Sequence, residues 1–301
     1  MNKKKNDRMF LNWDDRMFNL ITYLLLIVIS VIMLYPLIYV FSASFSSTNA
    51  VVSGRVWLWP VEPTVIAYKQ VLKNNQIITG YINSIIYSLG GTVVSVALSL
   101  AGGYALSSKK LVGSNLFNRL FIFATLFSGG MIPFYLVVRG FGMINTRWSL
   151  IIPNALNVFH IMLMRTHVRT AVPEEMLEAA VIDGCGHFRK LFMMVVPLSG
   201  SILAVLSLYC IVGQWNSYFN ALMFLSNYDY YPLQIVLREI LIMNTLNIES
   251  ITDISMLELK QGLADIMKYA LIVIASAPLI IAYPFVQKFF VKGVTLGSMK
   301  G

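Results

Sequence analysis

The chain has 301 residues, of which 57% are hydrophobic and 12% charged, with a formal net charge of +9. Soluble domains carry about 25% charged residues, so half of that, together with apolar runs of about 20 residues, excludes an ordinary soluble domain. The pattern is that of an all-α, polytopic membrane protein. Two cysteines, Cys185 and Cys210, supply neither a disulfide framework nor a zinc spacing, and each reads as a small apolar filler.

The N-terminus MNKKKNDRMF is followed by an apolar run from Leu20 to Phe41. That run exceeds the roughly 7–15 residues of a signal-peptide core, so it reads as a first span that stays in place. Six spans are predicted in all, near 18–42, 83–107, 119–138, 148–166, 199–225 and 266–287. Pro133 and Pro153 interrupt the third and fourth, which neighbouring helices can accommodate. Between the spans, two segments are long enough to do something on their own. Residues 43–82 hold VWLWP and an amphipathic run, AYKQVLKNNQII. Residues 226–263 hold YPLQIVLREILIM, with helical spacing of Leu233, Val236, Leu237 and Ile240.

Lysine and arginine set the orientation. They gather at the N-terminus (Lys3, Lys4, Lys5, Arg8, Arg16), after the second span (Lys109, Lys110, Arg119), after the fourth (Arg165, Arg169, Arg189, Lys190) and in the tail. Those segments outweigh the opposite side by roughly two to one, which predicts cytoplasmic termini. The expected layout is therefore a cytoplasmic segment 1–17, a transmembrane domain 18–290 and a cytoplasmic tail 291–301. Within it, 167–198 is a cytoplasmic loop, and 43–82 and 226–263 are external. The positive charge belongs to topology, so no nucleic-acid partner is expected.

No Asp or Glu falls inside a predicted span, which argues against an ion-coupled transporter or a proton pump. His160 is the one mid-span titratable group and reads as a packed, hydrogen-bonded side chain. The chain lacks a GxxxxGK[ST] phosphate loop, so it is not expected to hydrolyse ATP or to be an enzyme. No cofactor or metal is expected. Active transport would take its energy from another subunit.

The densest polar stretch is PEEMLEAAVIDGCGHFRKLFMMVVP, residues 173–197. Pro173 suits a helix start, and Glu174 and Glu175 complement the positive end of the helix dipole. Leu177, Ala180 and Val181 share one face, and Gly184 can take the left-handed conformation that ends a helix. The spacing predicts a helix, a sharp glycine turn and a second helix from Gly186 or His187. A metal site is disfavoured, because Cys185 and His187 have no second ligand pair at zinc spacing. A docking knob suits the small Ala179 and Ala180 best.

EAAVIDG, followed thirteen residues after Gly184 by Pro197, resembles the EAA loop of ABC-importer permeases. Cys185 stands where that family usually has alanine. LWP at 58–60, NSIIYS at 83–88, FSGGMIPFYLV at 127–137, QWNSYFNAL at 214–222 and the tail FVKGVTLGSMKG are similar to the carbohydrate-uptake, maltose-type branch, and to its complex-oligosaccharide subgroup. The resemblance implies a subunit that pairs with a second, homologous permease as a heterodimer and rests on two ATPase subunits that bind the ATP. It implies an extracellular solute-binding protein that delivers an oligosaccharide, and a bacterial cell membrane as the location. Glu178, Ala179, Ala180, Asp183 and Gly184 would then couple the membrane part to the ATPase. The mixture of Asn216, Ser217, Tyr218 and Asn220 in the fifth span suits a sugar path, or else plain interhelical glue. The competing readings are a facilitative channel and a membrane-embedded enzyme.

Overall fold

The computed structural model describes residues 13–248 and 254–298, and every regular element among them is helical. In chain order these are α1 (Trp13–Ser44), α2 (Thr48–Val52), α3 (Ile66–Lys73), α4 (Asn75–Ser107), α5 (Ser114–Leu126) and α6 (Met131–Gly140). There follow α7 (Trp148–Ile151), α8 (Val158–Ala171), α9 (Glu174–Ile182) and α10 (His187–Lys190). A π-helical turn over Leu191–Val195 leads into α11 (Val196–Leu198), α12 (Gly200–Trp215) and α13 (Phe219–Phe224). The chain closes with α14 (Leu233–Ile248) and α15 (Ile254–Ser298). The chain forms two compact units: Met1–Val71 with Asn247–Val273, and Leu72–Leu246 with Ile274–Gly301.

Among the described residues, three helical stretches are long and apolar enough to cross a membrane: Asp15–Ser44, Asn75–Ser107 and Gly262–Pro284. They contain the predicted first, second and sixth spans, apart from the last few residues of the sixth. The others differ from straight helices. The third is broken between α5 and α6, where the chain bends by 118°. The break lies at Ser128–Gly130 rather than at Pro133. Gly130 has φ +84°, a region glycine enters freely, whereas Pro133 sits in the first turn of α6, where a missing N–H costs nothing. The fourth is split at Pro153 into α7 and α8. The fifth starts at an 85° bend, where the helix ending at Leu198 gives way to Gly200, and stops at Trp215 before the short α13. The amphipathic run of 67–78 is likewise divided between two helices, because the Asn74 side chain caps the start of α4 by accepting from Gln76 N–H at 2.9 Å.

In the first unit, buried serines tie the end of α1 to the following loop. Ser42 Oγ donates to Leu58 O at 2.7 Å, and Ser46 Oγ accepts from Val61 N–H at 3.0 Å. Ser44 Oγ and Tyr68 Oη lie 2.8 Å apart. Arg55 pairs with Glu62 at 3.1 Å.

The second unit is organised on α4, against which α8 and α12 pack. Its inward edge is made of small residues: Gly80, Ser84, Ser88, Gly91, Thr92, Ser95, Ser99 and Gly103. Small side chains let helix backbones approach closely, and at Gly103 the approach is at its limit. A Cβ there would fall 2.6 Å from Met164 Cβ and 2.9 Å from the Arg165 backbone nitrogen. Backbone cannot rotate away, so Gly103→Val should force α4 and α8 apart at a cost of about 3 kcal/mol. The expected result is a markedly lower melting temperature or loss of the purified protein. Gly140→Ala, whose added Cβ meets nothing within 4 Å, should be tolerated.

Candidate functional site

Two places in the second unit concentrate polar chemistry, and one of them is the stretch around α9. Pro173 immediately precedes the helix, and Glu174 and Glu175 occupy its first turn. At the other end Cys185 N–H donates to Ala180 O at 2.8 Å and Gly184 N–H to Val181 O at 3.0 Å. This pair of bonds closes the last turn and requires a left-handed residue, and Gly184 supplies it with φ +75°. Asp183 is the exposed C-cap residue.

Ala180 is buried, beside a cluster that includes Val172, Leu191, Val195 and Leu206, with Met176 and Leu177 half-buried against it. Glu178, Ala179 and Asp183 face outward. Val181, expected to share the inward face, is instead exposed, because the helix ends one residue later and the chain turns away. On either side of the turn, Ile182 is 87% and Phe188 80% exposed. The stretch therefore offers exposed apolar side chains with charged residues of both signs near them in sequence, Glu178 and Asp183 on one side and Arg189 on the other.

Sequence reasoning counted Lys109 and Lys110 only as topology signals. In the fold they hold α9: Lys109 Nζ lies 2.5 Å from Glu174 Oε2, and Lys110 Nζ 3.5 Å from Glu178 Oε1. The Lys109 bond holds the Glu174 carboxyl below its ordinary value of 4.5, and the same carboxylate raises the Lys109 ammonium above 10.5. The carboxylate's contribution is present above its unfolded value and lost as pH falls through the depressed one. The lysine's is present below its own unfolded value and lost as pH rises through the raised one. Both groups are exposed, so the contact should be insensitive to pH throughout the neutral range. Chemical-shift titration of Glu174 should place the carboxyl below 4.5, and Lys109→Ala should return it there.

Two arginines missed as site residues grip the same corner. Arg165 Nε donates to Leu106 O at 3.2 Å, and Arg169 Nε to Ser107 O at 3.2 Å. These are the last carbonyls of α4, which have no partner within the helix and carry the negative end of its dipole. Their i,i+4 spacing was the available signal, but the predicted fourth span ended at 166, so only the structure puts both on one helix, α8.

The second place is a cavity of about 310 Å³. Gly91 and Ser95 of α4 form one wall, and Asn154, Asn157 and His160 another. Tyr209, Cys210, Gly213 and Gln214 of α12 close it, with Ser217 and Asn220 beyond the helix end. Of the four residues picked as a sugar path, the fold brings Ser217 and Asn220 onto this cavity. Asn216 instead donates to Val212 O at 3.0 Å, and Tyr218 lies outside the lining. Trp215 is buried and donates to Ala275 O at 3.0 Å, a packing role. Cys210 is more than filler: its sulfur lies 3.3 Å from Ser95 Oγ and 3.6 Å from His160 Nδ1. Asn154 and Asn157 flank the Pro153 break, where helix ends expose side chains, and that position was their signal.

No protein-family model matches the chain. It is 35% identical over 290 residues to the polygalacturonan/rhamnogalacturonan transport system permease protein YtcP of Bacillus subtilis, covering 95% of this chain and 99% of that one. It is 34% identical to protein LplC of the same organism, over 95% of this chain and 96% of that one. Among solved structures, a chain of a bacterial ABC transporter involved in the import of the acidic polysaccharide alginate superposes with a TM-score of 0.84. That match has 34% identity and covers 93% of this chain and 99% of the other.

Proposed function

The chain belongs to the family of carbohydrate ABC-importer permeases, and from that premise we propose how its parts divide the work. It acts as one half of a heterodimeric six-span channel, with both termini in the cytoplasm and a homologous permease as the other half. Two separate ATPase subunits bind and hydrolyse ATP, and this chain has no ATPase site of its own. An extracellular binding protein presents the oligosaccharide at the external segments 43–82 and 226–263. The relatives handle galacturonan, rhamnogalacturonan and alginate, so a uronate-containing oligosaccharide is the substrate class to try first.

The observation that carries this reading is the α9 stretch. A nine-residue helix, closed by a left-handed glycine, holds out an apolar tip at Ile182 and is tied down by Lys109 and Lys110. An exposed apolar tip rimmed by charge on the basic side of the membrane is what a groove in a soluble motor would grip. In this role Glu178, Ala179, Asp183 and Gly184 form the joint, while the buried Ala180 holds the helix to the bundle. Ser217 and Asn220 line the sugar path.

The arrangement is tested by impermeant maleimide labelling in whole cells, in a background with Cys185 and Cys210 replaced. Tyr228→Cys should react and Val112→Cys should not; both parent side chains are exposed. The reverse pattern would put α9 on the wrong side and end the coupling reading. In proteoliposomes, uptake should require both ATP and the ATPase subunits. Uptake by the permease pair alone would favour a facilitative channel.

A further inference from the structure

We infer that the loop between α2 and α3 lies in the headgroup layer of the outer leaflet, anchored by Trp57 and Trp59, so that its partner is lipid. This rests on the topology proposed above, in which 43–82 is external, and goes beyond it by taking part of that segment away from the binding protein. The depth of the loop follows from what holds it. The apolar run of α1 from Leu20 to Phe41 is about 33 Å long at 1.5 Å per residue, enough to fill a hydrocarbon core of about 30 Å. Its end marks the edge of that core. Ser42, the next residue, donates to Leu58 O at 2.7 Å and so fixes the backbone between the two tryptophans at that level. Three further bonds keep the loop from lifting away. Val61 N–H donates to Ser46 Oγ at 3.0 Å, Ser47 N–H to Val61 O at 3.2 Å and Thr64 N–H to Phe45 O at 2.8 Å.

What the loop presents suits that layer. Val56 turns inward and is buried, while Trp57 is 68% and Trp59 80% exposed, with Leu58 and Ile66 exposed near them. An indole ring has an apolar body and one N–H donor, which is why tryptophan gathers where hydrocarbon meets hydrogen-bonding headgroups. More rings lie at the same end of α1: Phe41 and Phe45 are 5.1 Å apart, and Phe45 and Tyr68 4.8 Å. Charge points the same way. Between residues 43 and 68 the charged side chains are Arg55 and Glu62, and these two pair at 3.1 Å. Ser47 Oγ also donates to Glu62, and Arg55 Nε to Ser53 Oγ. The loop is thus neutral and its ions are already satisfied, which leaves apolar and aromatic surface as what it offers a partner. Such a surface enters the interfacial layer without stripping water from an unpaired charge.

The test uses the complete transporter in nanodiscs, with a nitroxide spin label on Trp59→Cys in a Cys185→Ala, Cys210→Ser background. Collisions of the label with oxygen, which concentrates in lipid, are compared with collisions with a water-soluble nickel chelate. The same label on Tyr228→Cys is the external aqueous reference. The oxygen-to-nickel collision ratio should be several-fold higher at position 59 than at 228, and unchanged when binding protein is added. If Trp59→Cys does not assemble, Trp57→Cys gives the same readout. A ratio equal to that at 228 would put the loop in water and overturn the anchor, leaving the permease reading standing. A label that neither reagent reaches, or one that binding protein shields, would overturn it in favour of a protein partner. The side of the membrane is read separately by maleimide labelling of Tyr228→Cys and Val112→Cys. The reverse pattern there would bring down the topology and the outer-leaflet placement together.

Discussion

Gly184→Val should leave the chain in the membrane and abolish the stimulation of ATP hydrolysis by sugar-loaded binding protein. Gly184 has φ +75°, and a Cβ placed on it meets nothing within 4 Å, so the change is not a clash. The penalty is local and conformational. A β-branched residue in the left-handed region costs about 1–2 kcal/mol, and the chain can escape it only by opening the turn. Opening the turn breaks the bonds from Cys185 N–H and Gly184 N–H to the last carbonyls of α9, and redirects Ile182 and Phe188. The apolar tip is then turned away from the ATPase contact proposed for it. Gly184→Asn, the residue that best tolerates this backbone after glycine, should retain partial coupling. ATPase co-purification and stimulated hydrolysis are the measurements. Full coupling in Gly184→Val would show that the turn is not the joint.

Asn83→Leu should be the most destabilising single change at the other end of α4. Asn83 is 1% exposed and its amide donates to Asp229 O at 2.7 Å and Tyr231 O at 3.1 Å. Its carbonyl oxygen accepts from Arg147 Nη2 at 3.3 Å, and Tyr87 Oη donates to Tyr230 O at 2.7 Å beside it. Leucine would leave two carbonyls without donors and a guanidinium short of one partner, a loss on the order of 3 kcal/mol. The melting temperature of the purified complex should fall, and protease should cut within 226–232 more readily. Asn83→Asp, which can accept but not donate, should be nearly as harmful, whereas Tyr87→Phe removes one bond and should cost about 1 kcal/mol. A wild-type melting curve for Asn83→Leu would show that these bonds do not hold the loop.

Local signals made the α9 stretch legible. Proline, paired glutamates and glycine each act over a few residues, so their effect survives in the sequence alone. The apolar runs of α1, α4 and α15 are legible for the same reason, since length and hydropathy suffice. What the sequence hid depends on partners far along the chain. The break at Ser128–Gly130 looked like part of one apolar run, because glycine's preference for φ +84° has no hydropathy signature. The cavity draws on residues from 91 to 220, and only folding brings Gly91 to Gln214. Asn216 and Ser217 are neighbours of similar polarity, yet the end of α12 at Trp215 sends one to Val212 O and the other to the cavity.

The helix α4 is 33 residues long, which at 1.5 Å per residue is about 50 Å. Asn83, Ser84 and Tyr87 clasp the 229–233 segment at one end, and Arg165 and Arg169 clasp its final carbonyls at the other. Its two Gly-Gly pairs, at 90–91 and 102–103, are where a helix flexes most readily, and they are where Gln214 and Met164 press against it. A bar stiffened at its weak points and clamped at both ends behaves as a pushrod. Tilting the 229–233 end carries the carbonyls of Leu106 and Ser107 along, and with them the two arginines, α8 and the base of α9. On the proposed topology one rigid body has an end on each side of the bilayer, so a signal of arriving cargo needs no relay of rotamers to cross it.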